Sequence, residues 1–185
     1  MAHHGRLPRR AGSSPSGEDG VITVRPALPG EPSHNLQRAG EIVRDAYLLL
    51  PDYPPDPEYD VLLERVADRL AHGTVLLAFD GDVVVGCLTF VTEHGSEYDD
   101  VGDPGGAIIR MFGVDRTRQG QGIGASMLEW CIDTARSMGK ARVWLHTIEQ
   151  MVAAIRLYER RGFARVPEHD LPFDGAVGLA YALDL

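Results

Sequence analysis

Three glycines at alternate positions, Gly120, Gly122 and Gly124, interleave with Gln119, Gln121 and Ile123 just after Arg116-Thr117-Arg118. Without Cβ atoms such positions let an anion approach the backbone, and several N–H groups can converge on one oxyanion. Downstream, Met127, Leu128, Cys131, Ile132 and Ala135 recur at helical spacing, so the turn opens a helix. Its first unpaired N–H groups and the positive end of its dipole add to the attraction. A phosphate or pyrophosphate suits this chemistry. Groups able to move a proton are more scattered: Glu93, His94, His146 and His169 are of the right type, and imidazole has the reference pKa nearest neutrality. Cys87 and Cys131 lie within apolar periodic segments and read as core residues, not nucleophiles.

Regular elements must hold these groups in place. Ile108, Ile109, Met111, Phe112 and Val114 form a nearly continuous apolar run before the glycines, as expected of a strand buried on both faces, and Gly139 closes the helix that follows. Earlier, Val21–Arg25 reads as a strand ended by Pro26. Ser33 is the expected N-cap of a helix with Leu36, Ala39, Val43, Ala46, Tyr47 and Leu50 on one face, stopping at Pro51. Tyr53 lies in the proline-rich loop that follows. Asp56-Pro57 then starts a second helix burying Tyr59, Leu62, Leu63, Val66 and Leu70. Thr74–Phe79 and Val83–Thr92 flank Asp80-Gly81 as a hairpin, and Glu93–Gly106 is a charged, solvated loop without the ligand order of a calcium loop. Ala141–Thr147 forms a strand with Trp144 and His146 on one face, and Met151–Arg161 a helix ended by Gly162. Phe163–Val166 and Val177–Leu183 form a last strand pair, joined by a loop carrying His169, Asp170 and Phe173. This order predicts a mixed α/β domain.

At 185 residues and 44% hydrophobic, the chain suits one well-buried domain. Residues 1–20, rich in Gly, Ser, Pro and Arg, are expected to be a disordered tail, with the domain over residues 21–185. A net charge of −9 argues against a nucleic-acid partner and is better matched to a cationic acceptor. No apolar run reaches membrane-spanning length, and the two cysteines fit a reducing cytoplasm.

Two familiar phosphate motifs fail here. Read from Gly122, a dinucleotide fingerprint finds Met127 at its third glycine, and no lysine follows for a Walker loop. The pattern present is Gln119-x-x-Gly122-x-Gly124 after Val114-Asp115, with Leu157-Tyr158-x-x-x-Gly162-Phe163 downstream. Together these resemble the GNAT superfamily of acyl-CoA-dependent N-acetyltransferases. The resemblance implies a mixed, mostly antiparallel central sheet flanked by helices, with acetyl-CoA as cosubstrate and no metal. It implies transfer of an acetyl group to a primary amine of a small molecule or peptide, by direct attack in a ternary complex. Backbone N–H groups from Gln119 through Gly120, Gln121, Gly122 and Ile123 to Gly124 would hold the pyrophosphate, helped by the side chain of Arg118 or Gln119. Phe112, Gly113 and Val114 would pair with the pantetheine arm like an added strand, the Val114 N–H facing the thioester carbonyl. Tyr158 would protonate the departing thiolate, and Tyr53 lies in the loop that covers the acceptor.

Two positions depart from the family pattern: Ile108 stands where many relatives carry a glutamate base, and Met151 where an asparagine contacts the cofactor. The base therefore stays open among Glu93, His94, His146, His169 and water, with His146 the candidate on the neighbouring strand. A non-catalytic acyl-CoA sensor is the alternative that these departures keep in play. For assembly, a homodimer is the general expectation.

Overall fold

β-Branched and aromatic runs pair into a sheet, and helices with one apolar face cover both of its sides. The structure is a computed structural model that describes residues 21–173 and 175–185; the expected tail over residues 1–20 lies outside the described residues. In chain order the elements are β1 (Ile22–Pro26), α1 (Ser33–Leu48), α2 (Pro57–Glu64), α3 (Val66–Arg69), β2 (Thr74–Asp80), β3 (Val83–Val91), β4 (Gly106–Val114), α4 (Ile123–Ser137), β5 (Arg142–Thr147), α5 (Val152–Arg160), β6 (Ala164–Arg165), β7 (Leu171–Phe173) and β8 (Ala176–Asp184). The strands order as β1-β2-β3-β4-β5-β8-β6, with β7 on β8, and only the β4–β5 pair is parallel. This is the mostly antiparallel mixed sheet expected from the sequence.

The two faces bury separate apolar clusters. On one side Met127, Leu128 and Cys131 of α4 pack with Leu88, Ile109, Leu145 and Tyr158. On the other, Ala39 and Val43 of α1 and Leu63 of α2 pack with Leu77, Cys87, Ile108 and Trp144. β4 lies between them and carries the irregularity that matters most. Cys87 pairs with Gly113 and Thr89 with Arg110, so Met111 and Phe112 together oppose Leu88 alone. Met111 takes up this bulge at φ 51°, a left-handed conformation that a bulky side chain rarely adopts. The extra residue resets the alternation of side chains. Ile108, Arg110 and Met111 all face the α1 side, whereas Phe112 and Val114 turn towards α4. Gly113 then faces α1 so closely that a Cβ would stand 2.9 Å from Val43 Cα.

Four expectations change. Ser33 is the first helical residue, not the cap; Pro32 holds the cap position, and the carboxylate of Glu31 gathers the region by accepting from Leu28 N, Asn35 Nδ2 and Arg25. The second helix breaks at Arg65, leaving Leu62 and Leu70 exposed. Beneath the break Arg69 is fully buried and donates to the carbonyls of Leu62 and Leu63, which places a cation on the negative end of α2. The hairpin turn is Gly81-Asp82, because Asp80 still pairs with Val83. The loop carrying His169, Asp170 and Phe173 contains β7, which lengthens the sheet at β8.

Candidate active site

The glycine turn emerges where the strand-to-helix reading placed it. Asp115 accepts from the N–H and hydroxyl of Thr117, starting a 3-10 turn over Arg116–Arg118. Gly120 and Gly122 follow at φ 79° and 81°, and Gly122 caps α4 in the left-handed conformation. Among the described residues, no backbone N–H from Gln119 to Gly124 donates a hydrogen bond. A Cβ on Gly120 or Gly122 would point into open space, so conformation is what requires glycine there. On Gly124 a Cβ would come within 3.3 Å of Leu157 Cδ2, so the third glycine lets α4 close on α5. A row of free donors at a helix start fits the diphosphate of a coenzyme A thioester. Of the side chains expected to assist, Arg118 is ion-paired with Asp80, and Gln119 is exposed.

Between this cradle and the rest of the site runs a bare strand edge. The β4–β5 register ends at Ile109–Leu145, and β4 continues to Val114 with no strand paired to that edge among the described residues. Asp115 N donates to Val85 O on β3 (2.9 Å), so antiparallel alternation turns the N–H groups of Val114 and Phe112 the opposite way, to the bare edge. Tyr158 projects from α5 into the α4-side cluster, against Phe163 with ring centroids 6.0 Å apart. Burial, with a smaller contribution from Cys131, pushes its phenol well above the ordinary value, which keeps it protonated at neutral pH.

On the α1 side, beside the unpaired part of β4, lies a cleft of about 90 Å³ that is partly open to solvent. Tyr47 from α1, Tyr53 from the α1–α2 loop and Tyr59 from α2 form one wall. Their rings meet edge to face, Tyr47–Tyr53 at 6.5 Å and Tyr47–Tyr59 at 6.1 Å, and Tyr53 donates to Asp60 Oδ1 at 2.8 Å. Arg110, Met111, Asp100 and His146 line the opposite side.

Asp100 stands between His146 and Arg110, 3.3 Å from His146 Nδ1 and 3.6 Å from Arg110 Nη1. His146 Nε2 lies 2.9 Å from the carbonyl oxygen of His169, an acceptor only, so Nε2 carries a proton. A neutral ring would then aim its Nδ1 lone pair at a carboxylate. Burial lowers the His146 pKa, but the contacts with Asp100 and the His169 carbonyl outweigh it, and the net shift is upward. Asp100 shifts down: its own burial is outweighed by His146 and Arg110.

Of the other proton carriers considered, Glu93 is exposed, His94 is paired with Asp99 at 2.7 Å, and His169 stacks on Trp144 at 4.8 Å; none of the three lines the cleft. Ile108 is buried beneath it and Met151 lines it. Sequence reasoning passed over Tyr47, Tyr59, Asp100 and Arg110. One signal was available: Arg110 is the single charge in an otherwise apolar strand run. Nothing local distinguishes Asp100 from Asp99, whose carboxylate instead ties the loop by accepting from the N–H groups of Gly95 and Gly102. Among the described residues, no group of three or more His, Cys, Asp or Glu comes together as a metal site.

Comparison with known proteins gives the same reading of the architecture. A spermine/spermidine N(1)-acetyltransferase of Bacillus subtilis is 32% identical over 104 residues, 56% of this chain and 66% of that protein. A mycothiol acetyltransferase of Geodermatophilus obscurus is 33% identical over 92 residues, 48% of this chain and 28% of that protein. The chain therefore matches less than two thirds of the length of these curated relatives. In structure, a GNAT-family acetyltransferase of Staphylococcus aureus superposes with a TM-score of 0.69 at 18% identity, covering 89% of this chain and 99% of the other. An acetyltransferase of Salmonella typhimurium, solved with its cofactor acetyl-CoA, does so at 0.61 and 24% identity, covering 89% and 94%. The sequence profile of the acetyltransferase (GNAT) family matches residues 39–163, more than half of the chain and all of β4, the glycine turn and Tyr158, and the chain belongs to that family.

Proposed function

We propose that the protein transfers an acetyl group from acetyl-CoA to a primary amine held in the tyrosine-walled cleft. The observation that carries this reading is the continuity along β4: free N–H donors at the glycine turn, an unpaired edge from Phe112 to Val114, and a cleft opening beside that edge.

When bound, the cosubstrate supplies an acetyl group activated as a thioester. The N–H groups of Gln119–Gly124 hold its diphosphate, and Phe112, Gly113 and Val114 offer strand pairing to its amide-bearing arm. The Val114 N–H is positioned for charge developing on the carbonyl oxygen, a contribution of about 3 kcal/mol to the barrier. Tyr158 donates its proton to the leaving sulfur. His146, with Asp100 against its Nδ1, takes the proton from the amine. Its pKa is shifted upward, burial being outweighed by Asp100 and the His169 carbonyl, and only the neutral ring is competent as a base. Tyr53 closes the acceptor side through its hydroxyl bond to Asp60.

Both cysteines are buried, and burial pushes Cys87 up to about 12 and Cys131 higher still, which supports direct attack without an acyl-cysteine. Among the described residues no helix is long and apolar enough to cross a membrane. A cytoplasmic setting, a small-molecule or peptide acceptor and a homodimeric assembly complete the reading.

The test is a thermal-shift titration with acetyl-CoA followed by a coenzyme A release assay over a broad amine panel. At about a hundred times its dissociation constant the cosubstrate should add roughly 2.7 kcal/mol of stability, and at least one amine should turn over. No shift with any acyl-CoA defeats the reading. A shift without turnover of any amine assigns the chain instead as an acyl-CoA sensor.

A further inference from the structure

The overall charge of −9 favours a cationic acceptor, yet the cleft also carries an arginine, Arg110, among its lining residues, beside the carboxylates Asp100 and Asp56. One carboxylate, Asp100, is flanked there by His146 at 3.3 Å and by the guanidinium of Arg110 at 3.6 Å. Arg110 is held from behind. Its guanidinium lies over the Tyr98 ring, 5.6 Å from the centroid, and Nη1 donates to the Tyr98 carbonyl at 3.1 Å. The Tyr59 hydroxyl and the Asp100 carboxylate also lie against the guanidinium, and the side chain lines the cleft with 19% of its surface exposed, so an added carboxylate would share this planar donor fork with them. The bulge at Met111 is what puts Arg110 and Met111 side by side on this face, next to the bare β4 edge. Opposite stand the phenols of Tyr47 and Tyr59, hydroxyl donors of the kind that accompany arginine around a carboxylate.

From this juxtaposition we infer that the acceptor is an amino carboxylate, an amino acid-type molecule whose carboxylate is bound by Arg110 while its amine reaches the β4 edge. The inference rests on the acetyl-transfer reading above and narrows its substrate class. Apart from Asp56 and Thr147, the rest of the cleft is apolar or aromatic, with Tyr53, Ile148, Met151 and Phe173 among its lining, which suits an acceptor with an apolar side chain. A polyamine, in contrast, would bring its second ammonium against Arg110 and His146. Arg110 is thus a specificity-determining residue, with Tyr98 its support.

The experiment compares each apolar amino acid with its own decarboxylated amine and its carboxamide, with spermidine added, in wild type, Arg110→Gln and Arg110→Lys. Two readouts are taken: kcat and KM for acetyl transfer, and binding of the corresponding N-acetyl amino acids to the coenzyme A complex, which needs no turnover. Wild type should favour carboxylates over their amines and amides by about 10- to 100-fold, the scale of a hydrogen bond to a charged group. Arg110→Gln should erase that preference, bringing carboxylates and their plain amines to similar kcat/KM chiefly through KM, and Arg110→Lys should restore part of it. Equal or better use of spermidine and plain amines by wild type overturns the inference. So does an Arg110→Gln variant that loses amines and carboxylates alike, because that is a structural defect. Arg110-dependent carboxylate binding without turnover of any amine would support this inference and defeat acetyl transfer, so the two fail separately.

Discussion

At the outer end of β4, six consecutive residues, Gln119–Gly124, present recognition groups from the backbone alone. Beside the middle of the same strand, the cleft draws Tyr47 from α1, Tyr53 from a loop, Tyr59 from α2, Asp100 from another loop, Arg110 from β4 and His146 from β5. The first region depends on main-chain conformation, so under the proposed reading its binding should survive any change of residue that keeps the left-handed glycines and the helix start. The second depends on side chains brought together across more than ninety positions of sequence, so a single substitution can redirect it. Under the proposed reading, the difference separates donor binding, which local backbone geometry can supply, from acceptor choice, which tertiary side-chain contacts would set.

This contrast can be broken most severely at the backbone end. Placing tryptophan at both Gly122 and Gly124 should abolish the stabilisation by acetyl-CoA, roughly 2.7 kcal/mol at a hundredfold excess over the dissociation constant, in protein that circular dichroism shows to be folded. Retained stabilisation would mean that the diphosphate is held elsewhere. Next in size, Tyr158→Phe should lower kcat by about 10²- to 10⁴-fold with acetyl-CoA affinity unchanged, as measured by steady-state kinetics and titration. An equal loss of affinity would make Tyr158 a packing residue, consistent with its place against Phe163.

Asp100→Asn sharpens the side-chain end of the comparison. His146 is shifted upward in net effect, so as a base its activity should rise as pH passes through a value above the ordinary 6.5. Removing the carboxylate removes a contact that favours the imidazolium. The acid limb of the kcat/KM profile should therefore move to lower pH, with a lower plateau because the imidazole is less basic; an unmoved limb would take His146 out of proton transfer.

The smallest effect is expected outside both regions, at the start of α1. The Arg25 guanidinium is the largest cause that holds Glu31 down to about 2, with Leu28 N–H and Asn35 also donating to it. A depressed carboxylate contributes stability that is present above its unfolded value and lost as pH falls through the folded one. Glu31→Gln should accordingly cost about 1–2 kcal/mol near neutrality, in urea unfolding, and the difference should shrink between about pH 4.5 and 2. Acetyl-CoA affinity should be unaffected, because Glu31 touches neither the glycine turn nor the β4 edge.

Much of the framework was legible in the residues. The apolar run from Ile108 to Val114, the glycine turn and the helical spacing of Met127, Leu128 and Cys131 each report a local conformational preference, and the structure has strand, turn and helix there. The break of the second helix at Arg65 was not legible. The apolar spacing from Tyr59 to Leu70 continues through it, and what stabilises the break is Arg69 turned back onto the carbonyls of Leu62 and Leu63, a contact that periodicity cannot register. β7 escaped for a related reason: Leu171–Phe173 is short and contains Pro172, and it becomes a strand only because β8 offers an edge.

By itself, then, the sequence determined the strand, left-handed glycine turn and helix start proposed to bind an anion, because helix starts and glycine conformations are decided within a few residues of one another. Tertiary structure alone decided the character of the acceptor side. The bulge that turns Arg110 and Met111 to one face arises from the register between β3 and β4, and the pairing of Asp100 with His146 joins a loop to a strand 46 positions later. The charge that an acceptor meets is likewise set by the few groups within its reach, where solvent is partly excluded and screening is weak, and not by the −9 spread over the whole surface.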